Sequence, residues 1–348
     1  MNRSADAPIS RLVLAACFLL AATPLTFPRD HGAHPDAAVE WWYYTGHLSD
    51  RSGRGYGFQL TFFRARELLL AHFAWTDVAA RRFRYEEKAH LALPGIASSA
   101  SDRLRVVNEN WSAEEQGGVH QLRASGPDGE LELALRPSKA PVLQGPGGLS
   151  RKGPGPNEYS HYVSITRFQA SGSLSRKGAP RLDLSGTAWF DHEWGPGALP
   201  EAARGWDWFA VQLSDGSELM LYRIRDARGA ATPYSSGTFV PSSGKPEPVA
   251  WSDLRFEETG HWVSPRSGAR YPAGWVVVLE SRRLSLKLEP LLADQELVTE
   301  KSTGVTYWEG ACRVTGTRGG APVEGKGYAE LTGYAGRDVP GFPAETKN

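Results

Sequence analysis

An acid, an imidazole, a second acid and an indole follow one another at Asp191-His192-Glu193-Trp194. They end the stretch SGTAWFDHEWG, Ser185 to Gly195. The small, β-branched and aromatic residues before them favour a strand, and Gly195-Pro196-Gly197 stops it. Strand side chains alternate between faces. Thr187, Trp189, Asp191 and Glu193 therefore share one face, and Ala188, Phe190, His192 and Trp194 the other. A carboxyl group facing an apolar cavity is pushed up in pKa by desolvation and keeps its proton near neutral pH. Such a group can donate a proton. His192 could relay it or activate water, and Trp194 could turn the negative face of its ring toward a cation. The plainer alternative has Asp191 and His192 bonding to loop amides while Trp194 plugs a core. For each residue alone that alternative is the better one. The four together are what raise the case for chemistry.

A second cluster precedes a fully aromatic run in FPRDHGAHPDAAVEWWYYTG, Phe27 to Gly46. It holds Asp30, His31, His34, Asp36 and Glu40. His31-x-x-His34 lies in a Pro-containing loop and matches no known metal spacing, so no metal is assigned. The cluster reads better as a polar plug over a barrel end. Glu40, Trp42 and Tyr44 share a face and are candidates to border a cavity. Tyr159, His161 and Tyr222 are weaker candidates. The chain carries no G-x-S-x-G, H-E-x-x-H, G-x-G-x-x-G or P-loop motif, and no cofactor is expected.

The elements that must hold these residues are strands. Short alternating stretches such as GYGFQLTFFRAR, ELELALRP, WDWFAVQLSDG and ELMLYRIRDARG are separated by turn signals. SDG at Ser214 to Gly216 and DARG at Asp226 to Gly229 are hairpin-type turns. HFAWTDVAARRFRYEEKAH suits either two strands around a bend or a helical turn with its flanks. Gln144 to Ser160, rich in Gly and Pro, reads as a loop.

The chain also repeats itself. EWWYYTGHLSD, from Glu40, resembles GWDWFAVQLSD, from Gly205. Trp41 matches Trp206, Tyr43 matches Trp208, and Leu48-Ser49-Asp50 matches Leu213-Ser214-Asp215. FFRAR at Phe62 then matches LYRIR at Leu221. A weaker echo relates YSHYVSITRFQASG and GTAWFD to YWEGACRVTG and GYAELT. The expected units are residues 27–198 and 205–340, each an all-β antiparallel barrel whose closure removes free strand edges. A barrel of this size is either filled or holds a ligand. The aromatic excess (12 Trp, 12 Tyr and 13 Phe) favours a cavity for a flat apolar guest in at least one half.

The bulk properties narrow the classes further. The 348 residues balance 39 basic against 39 acidic side chains, and no basic stretch alternates with aromatics, so a nucleic-acid partner is not expected. Arg3 and Arg11 precede the apolar run Leu12 to Ala22, which suits an export signal or N-terminal anchor over residues 1–23 and is short for a membrane span. The expected location is periplasmic or secreted, and the expected state a monomer. Cys17 and Cys312 are the two cysteines. Removal of the signal would leave Cys312 without an intramolecular partner, so no disulfide framework is expected.

FPRDHGAHPDAAVEWWYYTGHL, YSHYVSITR and SGTAWFDHEWG together resemble the secreted AttH-like proteins. Those are related to bacterial hydroxyneurosporene synthase (CrtC), the carotenoid 1,2-hydratase. The resemblance covers about Phe27 to Tyr334. It implies two tandem lipocalin-like barrels and, in the hydratase branch, cofactor-free hydration of an acyclic carotenoid end. The His and Trp implicated in that branch fall on His192 and Trp194, and an implicated Tyr falls on Tyr222. The acid expected soon after that Tyr is displaced here to Asp226, which departs from the hydratase pattern.

Three functions follow. A hydratase would use Asp191, Glu193 or Glu40 as acid, with His192, Trp194 and Tyr222 in the catalytic set. Glu40, Trp42, Tyr44, His161, Trp189, Trp206 and Trp208 would contact an apolar isoprenoid or lipid. A non-catalytic carrier would need only the cavity and would hand its ligand to an ABC transporter. A secreted hydrolase would use Asp191 and His192 on water, without any local nucleophile motif to support it.

Overall fold

A computed structural model describes residues 24–336 except Lys177 and Ala198. The expected signal segment, residues 1–23, and positions 337–340 of the expected second unit lie outside the described residues. The first half forms β1 (Val39–Asp50), β2 (Gly55–Ala65), β3 (Leu68–Asp77), β4 (Arg82–Leu91), β5 (Ala97–Ser99), β6 (Arg105–Asn108), β7 (Trp111–Gln116), β8 (Val119–Gly126), β9 (Gly129–Pro137), β10 (Val142–Leu143), β11 (Leu149–Arg151), β12 (Tyr159–Ser175) and β13 (Leu182–Gly195). The second forms β14 (Gly205–Leu213), β15 (Glu218–Arg225), β16 (Ser236–Val240), β17 (Glu247–Ala250), β18 (Leu254–Glu258), β19 (His261–Val263), β20 (Arg270–Pro272), β21 (Trp275–Leu279), β22 (Leu284–Pro290), β23 (Glu296–Thr299), β24 (Val305–Arg318) and β25 (Ala321–Leu331).

Two sheets result. One runs β4-β3-β2-β1-β13-β12-β9-β8-β7-β6-β5 and the other β17-β16-β15-β14-β25-β24-β22-β21-β18. Each curls into a nearly closed antiparallel barrel, the tandem lipocalin-like fold expected. The repeat is visible in the strand order: β1 sits between β2 and β13 as β14 sits between β15 and β25. The ambiguous stretch around Thr76 forms two strands, β3 and β4, joined at a bend. Side-chain bonds help close the first barrel. Asn108 Oδ1 meets His90 Nδ1 at 2.7 Å, and Asn108 Nδ2 donates to Leu69 O at 2.9 Å.

Both interiors are packed with side chains. Trp42, Tyr44, Phe58, Leu60, Phe62, Phe73, Trp111, Phe168 and Phe190 belong to one buried cluster. Phe209, Phe239, Tyr271, Trp275 and Trp308 belong to the other. Aromatic rings each remove a large apolar area from water, so the excess read from the composition stabilises the cores. The cavity expected within a half is instead found between the halves.

The barrels meet through their outer faces. Tyr43, Tyr162 and Trp189 pack with Trp208, Met220, Tyr222, Ala311 and Tyr328 in a third buried cluster. Polar contacts flank it. Glu218 is buried and accepts from Arg167 Nε at 2.6 Å and Lys139 Nζ at 2.6 Å. Gln212 Nε2 donates to the carbonyls of Thr166 and Ala188. Buried charges hold only when paired, so these bonds fix the angle at which the barrels dock.

Candidate functional site

The register of the strands builds a cleft between the barrels. On the first sheet, one row runs Tyr162–Glu193–Trp41–Phe63 and the next runs Ser164–Asp191–Tyr43–Thr61–His72. On the second sheet the facing row is Tyr222–Trp208–Glu330–Glu309. Directly opposed residues share a face, so each row presents its side chains together. Trp41, Tyr43, Phe63, Trp206, Trp208 and Tyr222 supply most of the apolar wall. Asp191, Glu193, Glu309 and Glu330 lie among these rings. Residues matched by the repeat meet here: the rings of Tyr43 and Trp208 pack edge to face with centroids 5.0 Å apart.

Burial dominates the electrostatics. Desolvation pushes the Asp191 carboxyl up from 3.8 to about 7, although Ser164 Oγ and Tyr162 OH donate to it at 2.5 Å and Trp189 Nε1 at 2.7 Å. Trp208 Nε1 in turn donates to Tyr162 OH at 2.9 Å. Glu330 rises from 4.5 to about 7 for the same reason, opposed by a bond from Trp206 and reinforced by Glu193 and Asp191. Glu309 is raised well above its ordinary value by burial and by the charge of Glu330. Its Oε1 accepts from Tyr43 OH, while its buried Oε2 has no partner among the described residues. A neutral carboxyl group with one oxygen unpartnered at a cleft wall is poised to donate a proton.

These raised values make a stability prediction. A carboxyl group with a raised folded pKa costs nothing in the acid range and destabilises increasingly as pH climbs from its ordinary value through its folded one. Glu330→Gln removes that cost and keeps an acceptor for Trp206. Its gain at pH 8 is up to about 3 kcal/mol. Thermal melts at pH 8 and pH 5 check this, with the gain at pH 5 expected to be much smaller.

At the edge of the cleft stands Lys152, from the Gly- and Pro-rich loop. Its Nζ lies 3.0 Å from Glu193 Oε1 and 4.0 Å from the centre of the Tyr222 ring. Another chain of bonds leaves the cleft at Tyr307. Its OH meets His72 Nδ1 at 2.7 Å, His72 Nε2 meets Ser302 Oγ at 2.8 Å, and Ser302 Oγ donates to Glu87 at 2.5 Å.

The alternate face of β13 looks the other way. His192 is fully buried in the first barrel, with Nε2 2.9 Å from Glu40 Oε1. The Phe27-to-Gly46 segment folds over this end as the polar plug expected. His34 donates its backbone N–H to Glu40, its Nδ1 lies 2.8 Å from Glu40 Oε1, and its ring stacks on Trp194 with centroids 3.8 Å apart. Arg64 Nε donates to Glu40 Oε2 at 3.0 Å. Burial raises the Glu40 pKa, but the bonds from His192 and His34 outweigh it and hold the group at about 2. His192 is itself lowered, chiefly by burial. His34, Glu40 and His192 could place ligand atoms within 4.8 Å of one another. Arg64 already supplies the cation beside that carboxylate, so the group is accounted for as a hydrogen-bonded network.

The sequence candidates therefore divide. Asp191, Trp206, Trp208 and Tyr222 line the cleft, and Trp189 lies behind it, bonded to Asp191. Glu40, Trp42, Tyr44 and His192 belong to the filled interior or its plugged end. Trp194 stacks on His34 and reaches the edge of a side chamber, and His161 packs near Trp194 with ring centroids 5.4 Å apart. The motif DHEW thus splits between two environments. Sequence reasoning missed Glu309, Glu330, Lys152, Tyr162, His72 and Tyr307. A signal existed for the first two, since each acid stands two positions after a tyrosine, Tyr307 or Tyr328, and so shares its strand face.

Among curated proteins none matches this sequence. Among solved structures, an AttH assignment from Nitrosomonas europaea is 36% identical, with a TM-score of 0.83 over 91% of this chain and 98% of that one. Kievitone hydratase from Nectria haematococca is 18% identical and has the same fold, with a TM-score of 0.74 over 92% and 95% of the two chains. A family model described as AttH-like matches residues 19–334. With nearly the whole chain matched, the protein belongs to the AttH-like family.

Proposed function

We propose that the protein binds an apolar isoprenoid or lipid in the cleft between its barrels and adds water across an alkene of that ligand without a cofactor. The observation that carries the reading is Glu309, a buried acid of raised pKa in an aromatic cleft, whose Oε2 has no partner among the described residues. Kievitone hydratase, which shares the fold, bears a hydratase name and supports the same class of reaction.

The chemistry balances on the residues at hand. Glu309 passes its proton to one alkene carbon, and the π electrons form the new C–H bond. The neighbouring carbon becomes a cation, shielded from bulk water and faced by the rings of Trp41, Trp206 and Trp208. Water attacks that carbon. The proton it releases returns to the Glu309 carboxylate, directly or by way of Asp191, so alkene and water give an alcohol. His192 and Trp194 act as positioning residues, packing the inner face of the strand whose outer face carries Asp191 and Glu193.

The N-terminal basic and apolar run favours export, with the reaction outside the cytoplasm. The test incubates the purified protein with an acyclic carotenoid in ¹⁸O-labelled water and weighs the product by mass spectrometry. Incorporation of one label per alcohol is expected. Saturable binding without incorporation would replace the hydratase with a carrier that hands its ligand to a transporter.

A further inference from the structure

We propose that the side chamber beside the cleft is a subsite for a neutral hydroxyl group, so the favoured ligand is an isoprenoid or lipid alcohol rather than a pure hydrocarbon. The inference rests on the cleft as the ligand site and adds the chemistry of one end of the ligand. The chamber adjoins the cleft through Trp41, Glu193, Trp206 and Tyr222, which line both. Lys152 and Ser160 line only the chamber.

Both are polar side chains held out of water, with 3% of Lys152 and 5% of Ser160 exposed. Among the described residues Ser160 Oγ has no hydrogen-bond partner, and Lys152 Nζ has none beyond its ion pair with Glu193. Lys152 faces the Glu193 carboxylate at 3.0 Å as an ion pair and presses on the rings of Tyr222 and Tyr162 at 4.0 and 5.3 Å. An ammonium group has three N–H donors, and a single carboxylate oxygen and two ring faces leave it short of oxygen acceptors. Buried polar groups in that condition cost free energy that a bound partner recovers.

The charge balance selects the partner. Lys152 and Glu193 cancel, so a ligand bringing a net charge into the chamber would leave it uncompensated. A hydroxyl group fits without that penalty. It accepts from Lys152 Nζ, donates to the Glu193 carboxylate, and offers its remaining lone pair to Ser160 Oγ–H. The hydrocarbon portion then extends into the aromatic cleft past Tyr222.

Farnesol and farnesyl methyl ether test this, because they share one hydrocarbon and differ in the donor. Binding is read by quenching of tryptophan fluorescence, the cleft being lined by three tryptophans. The wild-type protein is expected to prefer the alcohol by at least about tenfold. The double variant Lys152→Met/Glu193→Gln removes both charges together, so no lone charge is left buried. It is expected to bind the two compounds alike, and Ser160→Ala to lose part of the preference. Equal binding of both compounds by the wild type would overturn the subsite and leave the cleft reading standing. Binding of neither would overturn the cleft reading, and the subsite with it.

Discussion

Glu309→Gln is expected to lower turnover on an apolar alkene by at least about 100-fold, the usual contribution of a general acid. Affinity is expected to stay within about threefold, because the amide keeps the shape and neutrality of the protonated acid. The reason lies in the two oxygens of that carboxyl group. Oε1 is occupied by Tyr43, while Oε2 is buried at the cleft wall without a partner. Burial and Glu330 both keep the proton in place. In the wild type the rate should therefore persist above the ordinary carboxylate range and fall as pH rises further, as Glu309 loses the proton it must donate. Single-turnover kinetics separates the two quantities. A Glu309→Gln protein that turns over at the wild-type rate would move the acid to Asp191 or Glu330, the other cleft carboxyl groups with raised pKa values.

The second large effect concerns stability. Glu40→Ala is expected to destabilise the protein by about 3–5 kcal/mol, because it strands Arg64, His34 and His192 at the plugged barrel end. The pH dependence carries a distinctive sign. Glu40 is held at about 2 against its ordinary 4.5. The stability it supplies is complete above that ordinary value and is lost as pH falls toward 2. The difference of about 2.5 units corresponds to about 3 kcal/mol. The cleft acids have the opposite slope over the range from 4 to 7. Urea unfolding of the wild type and Glu40→Gln at pH 7 and pH 2.5 checks the assignment. The gap between them should narrow markedly in acid, and an equally wide gap at both values would place the stabilisation elsewhere than in the Glu40 charge.

The repeat shows how closely the two halves use their matched residues. Phe63 and Tyr222 occupy equivalent positions and both face the cleft. The residues after them, Arg64 and Arg223, turn inward, and each binds a buried carboxylate. Arg64 reaches Glu40, and Arg223 Nε donates to Asp207 at 2.7 Å. Thus FFRAR and LYRIR encode the same alternation, ring toward the partner barrel and guanidinium toward a buried carboxylate of its own barrel. Equivalent positions no longer carry equivalent chemistry, however. Glu330 stands where the repeat places Trp189, so the second barrel contributes an acid where the first contributes an indole.

The sequence by itself determined the strands, their alternation and the two-barrel architecture. These follow from local signals: period-two patterning, turn residues, and a repeat long enough to align by eye. It also determined that Asp191 and His192 point to opposite faces, because that is geometry within one strand. Which face borders the cleft was decided only by the tertiary structure. A lipocalin-like barrel offers its inside by default, and the aromatic count was consistent with that. Here Trp42, Tyr44, Phe62 and Phe190 fill the inside, and docking of the second barrel converts the outer face into an enclosed wall. Glu309 lies 118 positions beyond Asp191, and Lys152 comes from a loop with no periodicity. The raised pKa of Glu309 and the pairings of both residues are products of desolvation and of contacts between distant segments, and neither is present in a strand until the two barrels close on each other.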